Sequence, residues 1–277
     1  MRTALIVLAG CSGASPTPPV EAPPEAPAGR LRIDEVYYSG AAPAAGVDHY
    51  FSDQFVRLVN LSDVPVAAGG VLVGDAFGLA GAINGGDVPD SYATSRPDQV
   101  VLENVWRIPG APEDVVVEPG GYLLLARDGA NHQPLSTVDL TGADFETVVR
   151  PNSGNDEDYP GVPDLERVHF TGGFDWLVTV FGPSLVVLAP EAEAALEDVG
   201  DPSYDLLAAP VEHVVDGVEA LMDADSGAFK RLPVHGRVAP KGPCRRGSRG
   251  YRRLRRGLRG RRAHSVRAID SFRFGQD

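Results

Sequence analysis

The chain between residues 31 and 222 consists of short apolar segments separated by turn residues. The segments are 3 to 9 residues long and rich in Val, Tyr, Phe and Trp, which favours β-strands over helices. A content of 32 Gly and 24 Pro is also typical of a loop-rich β protein. The sequence therefore predicts an all-β fold, a single antiparallel β-sandwich. The predicted strands are 31–38, 54–60, 70–75, 100–108, 115–117, 122–126, 167–170, 176–181, 184–189, 211–215 and 218–222.

Three local signals refine this prediction. Hairpin turns are expected at Phe181-Gly182-Pro183-Ser184 and at Asp216-Gly217, because each lies between apolar runs and an Asp-Gly pair suits a tight type I′ turn. Residues 190–198 begin with Pro and are rich in Ala and Glu, which predicts one short surface helix.

The sequence also predicts how one strand is buried and where two long loops lie. Tyr122–Ala126 is mainly apolar, so we expect a central strand that is covered on both faces. Residues 76–97 and 127–166 are predicted to be long irregular loops. Loops of this length in a compact domain often carry recognition.

The first eleven residues have the pattern of a bacterial lipoprotein signal. A basic residue and a short apolar run lead to Leu8-Ala9-Gly10-Cys11, where small residues precede the cysteine. Residues 1–11 are therefore predicted to be a signal peptide that ends at a lipidated Cys11. The alternative is a buried N-terminal strand with a free cysteine.

A tether follows this cysteine. Residues 12–29 contain six prolines, which predicts an extended spacer of about 3.1 Å per residue. We expect a domain anchored in the cell envelope through lipid. Ser12 favours the outer membrane, with the domain facing the periplasm or the cell surface.

The charge is divided unevenly along the chain. Residues 1–240 hold 12 Lys and Arg against 36 Asp and Glu, whereas residues 241–277 hold 13 against 2. The acidic body argues against nucleic-acid binding there, because phosphate neutralisation needs clustered Lys and Arg. No apolar stretch approaches the roughly 20 residues of a membrane helix, so we expect no transmembrane helix.

Residues 241–277 form an arginine-rich tail with three interpretations. In the first interpretation, the tail binds an anionic partner, such as lipopolysaccharide or nucleic acid. In the second, the tail lies on the acidic body of the same chain. The third interpretation is a reading-frame shift near residues 236–242, since an out-of-frame reading of a GC-rich gene gives runs of Arg, Gly, Pro and Ala. If Cys11 carries lipid, Cys244 in this tail has no intramolecular disulfide partner.

Two segments resemble the lamin-tail type of immunoglobulin-like sandwich. They are residues 53–73, with Leu58-Val59-Asn60 before a turn, and residues 119–126, a strand led by Pro-Gly. The lamin-tail family usually has Glu before the Leu-x-Asn, where this chain has Arg57. The resemblance implies that residues 30–240 form a lamin-tail-like sandwich. Because lamin-tail domains are interaction modules without catalytic residues, it also implies a non-catalytic role.

A broader resemblance is to a family of uncharacterised bacterial lipoproteins, known mainly from Bacteroidetes, whose domain is lamin-tail-like. That family has no assigned activity, and its members continue with sandwich-like sequence where this chain has the arginine-rich tail. The resemblance is carried by residues 36–40, 53–55, 126–132, 139–146, 162–165, 215–219 and 230–233.

Common catalytic motifs are missing from the sequence. It has no Gly-x-Ser-x-Gly, no His-Glu-x-x-His, no Cys-x-x-Cys and no Gly-rich phosphate loop before a helix. Its six histidines are scattered. His132 is the most notable, beside Asp128 and Asn131, and we expect it to be hydrogen-bonded to nearby backbone. We therefore expect no catalytic site and no cofactor, with calcium as the alternative.

Two clusters of acidic residues are the basis of the calcium alternative. Asp156, Glu157, Asp158 and Asp164 offer the hard oxygens that Ca²⁺ takes in sets of six to eight. Residues 223–227 begin like a calcium loop, but their Gly comes one place early for an EF-hand. A solvated acidic loop is the favoured interpretation of both clusters.

The leading hypothesis is a non-enzymatic, lipid-anchored envelope protein that presents its long loops to another envelope component or a ligand. One alternative is a calcium-dependent binding module or an enzyme built on residues 76–97 and 127–166. Another is a carbohydrate-binding accessory protein, which would need adjacent aromatic side chains on an open face. Trp106 and Trp176 lie in predicted strands, so we expect them in the core.

Overall fold

The computed structural model describes residues 31–38, 40–41, 50–77, 92, 95–133, 135–150, 156–172, 175–176, 178 and 183–219, and the backbone of 265–267. In these residues the chain forms fourteen strands and three short 3₁₀ turns. The strands are β1 (Leu31–Tyr37), β2 (Phe55–Asn60), β3 (Val66–Ala67), β4 (Leu72–Ala76), β5 (Gln99–Arg107), β6 (Val116–Val117), β7 (Tyr122–Ala126), β8 (Phe145–Glu146), β9 (Glu166–Phe170), β10 (Ser184–Leu188), β11 (Glu197–Asp198), β12 (Leu207–Pro210), β13 (Val214–Glu219) and β14 (Ser265–Arg267). The 3₁₀ turns are Pro112–Asp114, Pro190–Ala195 and Val211–His213.

These strands form two main sheets. The first sheet has the order β14-β1-β2-β7-β8, and the second has the order β11-β12-β5-β4-β10-β13, with β9 also paired to β5. Strands β3 and β6 form a separate pair. Neighbouring strands are antiparallel except β7 and β8, which are parallel. The predicted all-β sandwich of antiparallel sheets is confirmed, with this one parallel pair as an addition.

The two sheets pack face to face through an apolar core. Leu58 and Leu125 of the first sheet join Val187 and Trp106 of the second in one cluster of buried side chains. In β2 and β7 the inward-facing residues recur at every second position, as a pleated strand requires. Trp176 packs beside Trp106, with ring centroids 6.0 Å apart. The expectation that both tryptophans lie in the core is confirmed.

Each sheet is also covered on part of its outer face. The 3₁₀ turn Pro190–Ala195 covers the second sheet, where Ala192 packs with residues of β4, β5 and β10. On the first sheet, Leu124 and Ala126 of β7 pack against Leu140 and Val162, from the chain that follows β7. The prediction of a strand covered on both faces is confirmed for β7 beyond Tyr122, which is exposed.

The predicted turn at Asp216-Gly217 is wrong. Both residues lie inside β13, opposite Val187 and Val186 of β10. The Asp216 carboxylate is buried and accepts a hydrogen bond from the Ile33 N–H at 2.8 Å. Asp216 therefore links the second sheet to β1 of the first sheet, and this long-range bond outweighs the local turn preference of Asp-Gly.

The predicted short helix at residues 190–198 is present as a 3₁₀ turn, but it is shorter than predicted. Residues Pro190–Ala195 form a 3₁₀ turn, and Glu197–Asp198 belong to β11. So short a segment gains few i→i−4 hydrogen bonds, and an isolated α-helix of that length is unstable. Among the helical segments of the described residues, none is long and apolar enough to cross a membrane.

Other predictions differ from the structure or fall outside it. Val211–His213 form a 3₁₀ turn, and Trp176 and Val178 lie outside the strands. The predicted turn at residues 181–184 falls mainly outside the described residues, as do Cys11, the tether, residues 223–227 and Cys244. Within the arginine-rich tail, the backbone of Ser265–Arg267 pairs with β1.

Asn60 closes the turn between β2 and β3. Its Nδ2 donates to the carbonyl oxygens of Val64 and Val117, both at 2.8 Å. Its Oδ1 accepts the Ser62 N–H at 2.9 Å and the Ser62 hydroxyl at 2.6 Å. The side chain is fully buried, so one amide satisfies both the turn and the edge of β6.

Asn60→Ala is expected to lower the free energy of unfolding by about 2–3 kcal/mol, because it leaves buried polar groups without partners. Urea denaturation measures this loss. The matched control is Asn131→Ala, which removes an exposed Oδ1 that accepts the Gln133 N–H at 3.0 Å. The control should cost less than about 1 kcal/mol. Equal losses in the two variants would contradict the role of Asn60.

Candidate functional site

The chain after β7 forms a compact layer over the outer face of the first sheet. The described residues of this segment, 127–133, 135–150 and 156–166, are termed the loop layer. The Leu140 N–H donates to the Ala130 carbonyl at 2.8 Å, and the Asp144 N–H donates to the Leu124 carbonyl at 2.9 Å. Asp144 returns a bond, because its Oδ2 accepts the Leu124 N–H at 2.7 Å. The predicted irregular loop is therefore tied to β7 by specific hydrogen bonds.

Glu146 fastens the loop layer from inside. Its side chain is fully buried, with Oε2 accepting the Gly129 N–H at 2.6 Å and Oε1 accepting the Tyr159 N–H at 2.8 Å. Burial raises the pKa of Glu146 to about 7, although the two N–H donors oppose this rise. The charges of Asp164 and Asp128 raise it further. Glu146 thus belongs to a wider group of acids.

Three buried carboxylates lie close together, and two of them belong to the loop layer. Asp128, Asp156 and Asp175 each offer one oxygen, and these three oxygens lie within 4.8 Å of one another. The Asp156 Oδ2 accepts the backbone N–H groups of Val149, at 2.8 Å, and of Arg150. We term these three carboxylates the buried triad.

Two atoms of the buried triad lack a hydrogen-bond partner among the described residues. They are the Oδ1 atoms of Asp128 and Asp156, and both are withdrawn from solvent. Burial also raises the pKa of Asp128 above its ordinary value, against hydrogen bonding from Ser52 and the charge of Arg127.

Arg127 supplies positive charge to the buried triad. Its Nε donates to the Asp175 Oδ2, and both side chains are buried. Burial raises the pKa of Asp175, Arg127 opposes this rise, and the charges of Asp128 and Asp156 reinforce it.

Asp175 is held in place by the residue that follows it. Its Oδ1 accepts the Trp176 N–H at 2.6 Å. The indole Nε1 of Trp176 donates to the Asp75 Oδ1 of β4 at 2.9 Å, and the ring packs against Trp106. The core of the sandwich therefore positions one member of the buried triad.

A second acidic group lies nearer the surface. Glu146, Asp158 and Asp164 each offer an oxygen within 4.8 Å of the other two, and both aspartates are exposed. We term this set the outer group. Desolvation and the charge of Asp158 raise the pKa of Asp164.

The structure divides the four residues that the sequence proposed together as calcium ligands. Asp156 is in the buried triad, whereas Asp158 and Asp164 are in the outer group. Glu157 is in neither group, and its exposed carboxylate accepts the Tyr159 hydroxyl at 2.9 Å.

Sequence reasoning missed Asp128, Glu146 and Asp175 as members of these groups. The sequence feature that could have indicated burial of these acids is an acidic residue close to an apolar segment. Asp128 follows β7 after one residue, and Asp175 directly precedes the buried Trp176.

His132 is bonded to nearby backbone, as the sequence analysis expected. Its Nε2 lies 2.9 Å from the Asp128 carbonyl oxygen, so this nitrogen carries a proton and donates it. Its Nδ1 is hydrogen-bonded to the Tyr50 hydroxyl at 2.6 Å. Both ring nitrogens are thus engaged in one buried hydrogen-bond chain.

Part of the chain that includes this site matches a protein family of unknown function. Residues 118–235 match a family model described as "Protein of unknown function (DUF4876)". Comparison with curated proteins gives no match. Both acidic groups lie within the matched region.

A solved structure shows the same fold. The chain is similar to the crystal structure of a DUF4876 family protein from Bacteroides thetaiotaomicron VPI-5482, with 23% identity and a TM-score of 0.60. The similarity covers 74% of this chain and 57% of that one. This chain therefore spans little more than half of the length of that protein. Both findings agree with the sequence resemblance to an uncharacterised family.

Arg127→Met is expected to lower the free energy of unfolding by about 1–3 kcal/mol, because it leaves the buried Asp175 Oδ2 without its hydrogen-bond donor. The matched control is Arg107→Met, since Arg107 pairs with Glu166 and Glu193 at the surface. Surface ion pairs contribute about 0–1 kcal/mol. Urea denaturation at pH 7 compares the two variants. Equal losses would show that the buried pair contributes no more to stability than the surface pairs.

Proposed function

We propose that this protein is a non-catalytic, lipid-anchored binding module of the bacterial cell envelope. Cys11 is the lipid attachment site, and residues 12–29 are the tether. Residues 30–240 are a lamin-tail-like, immunoglobulin-like sandwich at the outer membrane. Its partner is another envelope component or a ligand.

The loop layer carries this proposal. The described part of this connection is fastened to the first sheet at Leu124 and Glu146, so it presents one defined surface rather than many conformations. Rigidly supported loops are where binding residues concentrate in β-sandwich proteins. The layer also exposes Leu135, a large apolar side chain, between polar positions such as Gln133.

The hydrogen bonding of the polar side chains supports a binding role. His132 is engaged by Tyr50 and by the Asp128 carbonyl. The Ser136 hydroxyl donates to the Asp53 Oδ2 at 2.5 Å. These groups serve to hold the loop layer in place, which is the requirement of a fixed binding surface.

Lipid attachment is tested by growing the native host with an alkyne-bearing palmitate and detecting the label on the purified protein. The full chain is expected to carry label, and Cys11→Ser is expected to lose it. Cys244→Ser is the matched control, because it removes the other cysteine of the chain and should keep full label. Label that survives Cys11→Ser, or no label on the unmodified chain, would contradict the anchor.

Binding through the loop layer is tested by photo-crosslinking in living cells. A photoreactive amino acid replaces Leu135, which is 44% exposed in the loop layer. The control position is Tyr204, which is 43% exposed and lies outside that layer. We expect one discrete crosslinked product at position 135 and none at position 204. The same pattern at both positions, or no product at either, would contradict a binding surface on the loop layer.

A further inference from the structure

We propose that the buried triad of Asp128, Asp156 and Asp175 binds one divalent cation, and that this cation is Ca²⁺. The inference does not depend on the lipid anchor or on a binding role for the loop layer. It rests on three observations: unpartnered buried oxygens, the balance of charge, and the chemistry of the donors.

The first observation concerns hydrogen bonding. The Oδ1 atoms of Asp128 and Asp156 are buried and have no partner among the described residues. Buried polar atoms are normally satisfied, because an unsatisfied one costs free energy of desolvation. These two oxygens belong to carboxylates that approach within 4.8 Å of each other and of Asp175. A cation between the carboxylates would satisfy both atoms.

The second observation is the charge of the buried triad. Three carboxylates carry three negative charges when ionised, and Arg127 is paired with Asp175. The net charge that remains is minus two, which equals the charge of one divalent cation in magnitude. Buried charges are stable in proteins when they are paired or coordinate a metal.

The third observation is the chemistry of the donors, which favours Ca²⁺. Carboxylate oxygens are hard ligands, and Ca²⁺ accepts them with one or both oxygens in irregular geometry. Mg²⁺ demands a near-ideal octahedron and retains several waters, which a buried group accommodates poorly. Zn²⁺ prefers Cys and His, whereas the triad contains neither, and both nitrogens of the neighbouring His132 are engaged.

A cation at this position would connect three separate parts of the chain. Asp128 lies two residues after β7, Asp156 lies later in the loop layer, and Asp175 is held to the core through Trp176. Binding to the folded state would therefore stabilise the attachment of the loop layer to the sandwich.

The first experiment uses Tb³⁺ as a luminescent probe for a calcium site. The full chain, purified in detergent, is stripped with EDTA and titrated with Tb³⁺ under tryptophan excitation, because Trp176 directly follows Asp175. We expect saturable luminescence that Ca²⁺ abolishes and that an equal concentration of Mg²⁺ leaves largely intact. An absence of saturable luminescence would overturn the proposal, and so would displacement by Mg²⁺ as readily as by Ca²⁺.

Variants locate the cation. Asp156→Asn is expected to lose at least 10-fold in Tb³⁺ affinity, whereas Glu157→Gln, the exposed neighbour, should keep it. Asp158→Asn combined with Asp164→Asn should also keep it, since both residues belong to the outer group. If this double variant alone loses binding, the cation occupies the outer group and the proposal is wrong.

Two measurements keep the proposal testable where Asp156→Asn does not fold. Equilibrium dialysis of the unmodified chain with ⁴⁵Ca²⁺ should give one calcium per chain. The Tm of the unmodified chain should also rise by roughly 5–10 °C at a Ca²⁺ concentration about 100 times Kd. No bound calcium, or an unchanged Tm between Ca²⁺ and EDTA, would overturn the proposal.

Discussion

Burial of both faces of β7 is the constraint on which the rest of the structure depends. The inner face, with Leu123 and Leu125, packs on the second sheet. The outer face, with Leu124 and Ala126, requires a cover that the sandwich itself does not supply. Full burial of one large aliphatic side chain contributes about 1.5–3 kcal/mol. The loop layer gains free energy of this order because its Leu140 and Val162 become buried when it folds back onto β7.

A layer that folds back in this way must satisfy its own backbone. Short turns leave N–H groups that no neighbouring strand accepts, and carboxylates accept them instead. Glu146 receives two N–H groups of the layer and Asp156 receives two, whereas Asp144 receives the N–H of Leu124 in β7. Each such bond places negative charge beside an apolar surface. The burial of Glu146 and Asp156 and the raised pKa of Glu146 are therefore consequences of covering β7, and the proposed cation would offset the charge that remains.

The local sequence was sufficient to predict those strands that contain a run of apolar side chains, because these side chains are the ones that become buried. The apolar runs of β1, β2, β5, β7 and β10 were all recognised in this way. Strand β12 was missed, because Leu-Ala-Ala-Pro has no β-branched residue and depends on pairing with β5. The turn at Asp216-Gly217 was mispredicted for a related reason. Its conformation is decided by the Ile33 N–H, which is distant in sequence.

The candidate site was less predictable than the fold, because clustering of acids in sequence does not determine their burial. Asp156 and Glu157 are consecutive, yet one is fully buried and the other is exposed. The N–H groups of Val149 and Arg150 select Asp156, since they bond its Oδ2. A carboxylate that is withdrawn from water in this way needs a counter-charge, whereas Glu157 is screened by solvent. The residues that form an ion site are thus chosen by backbone donors elsewhere in the layer.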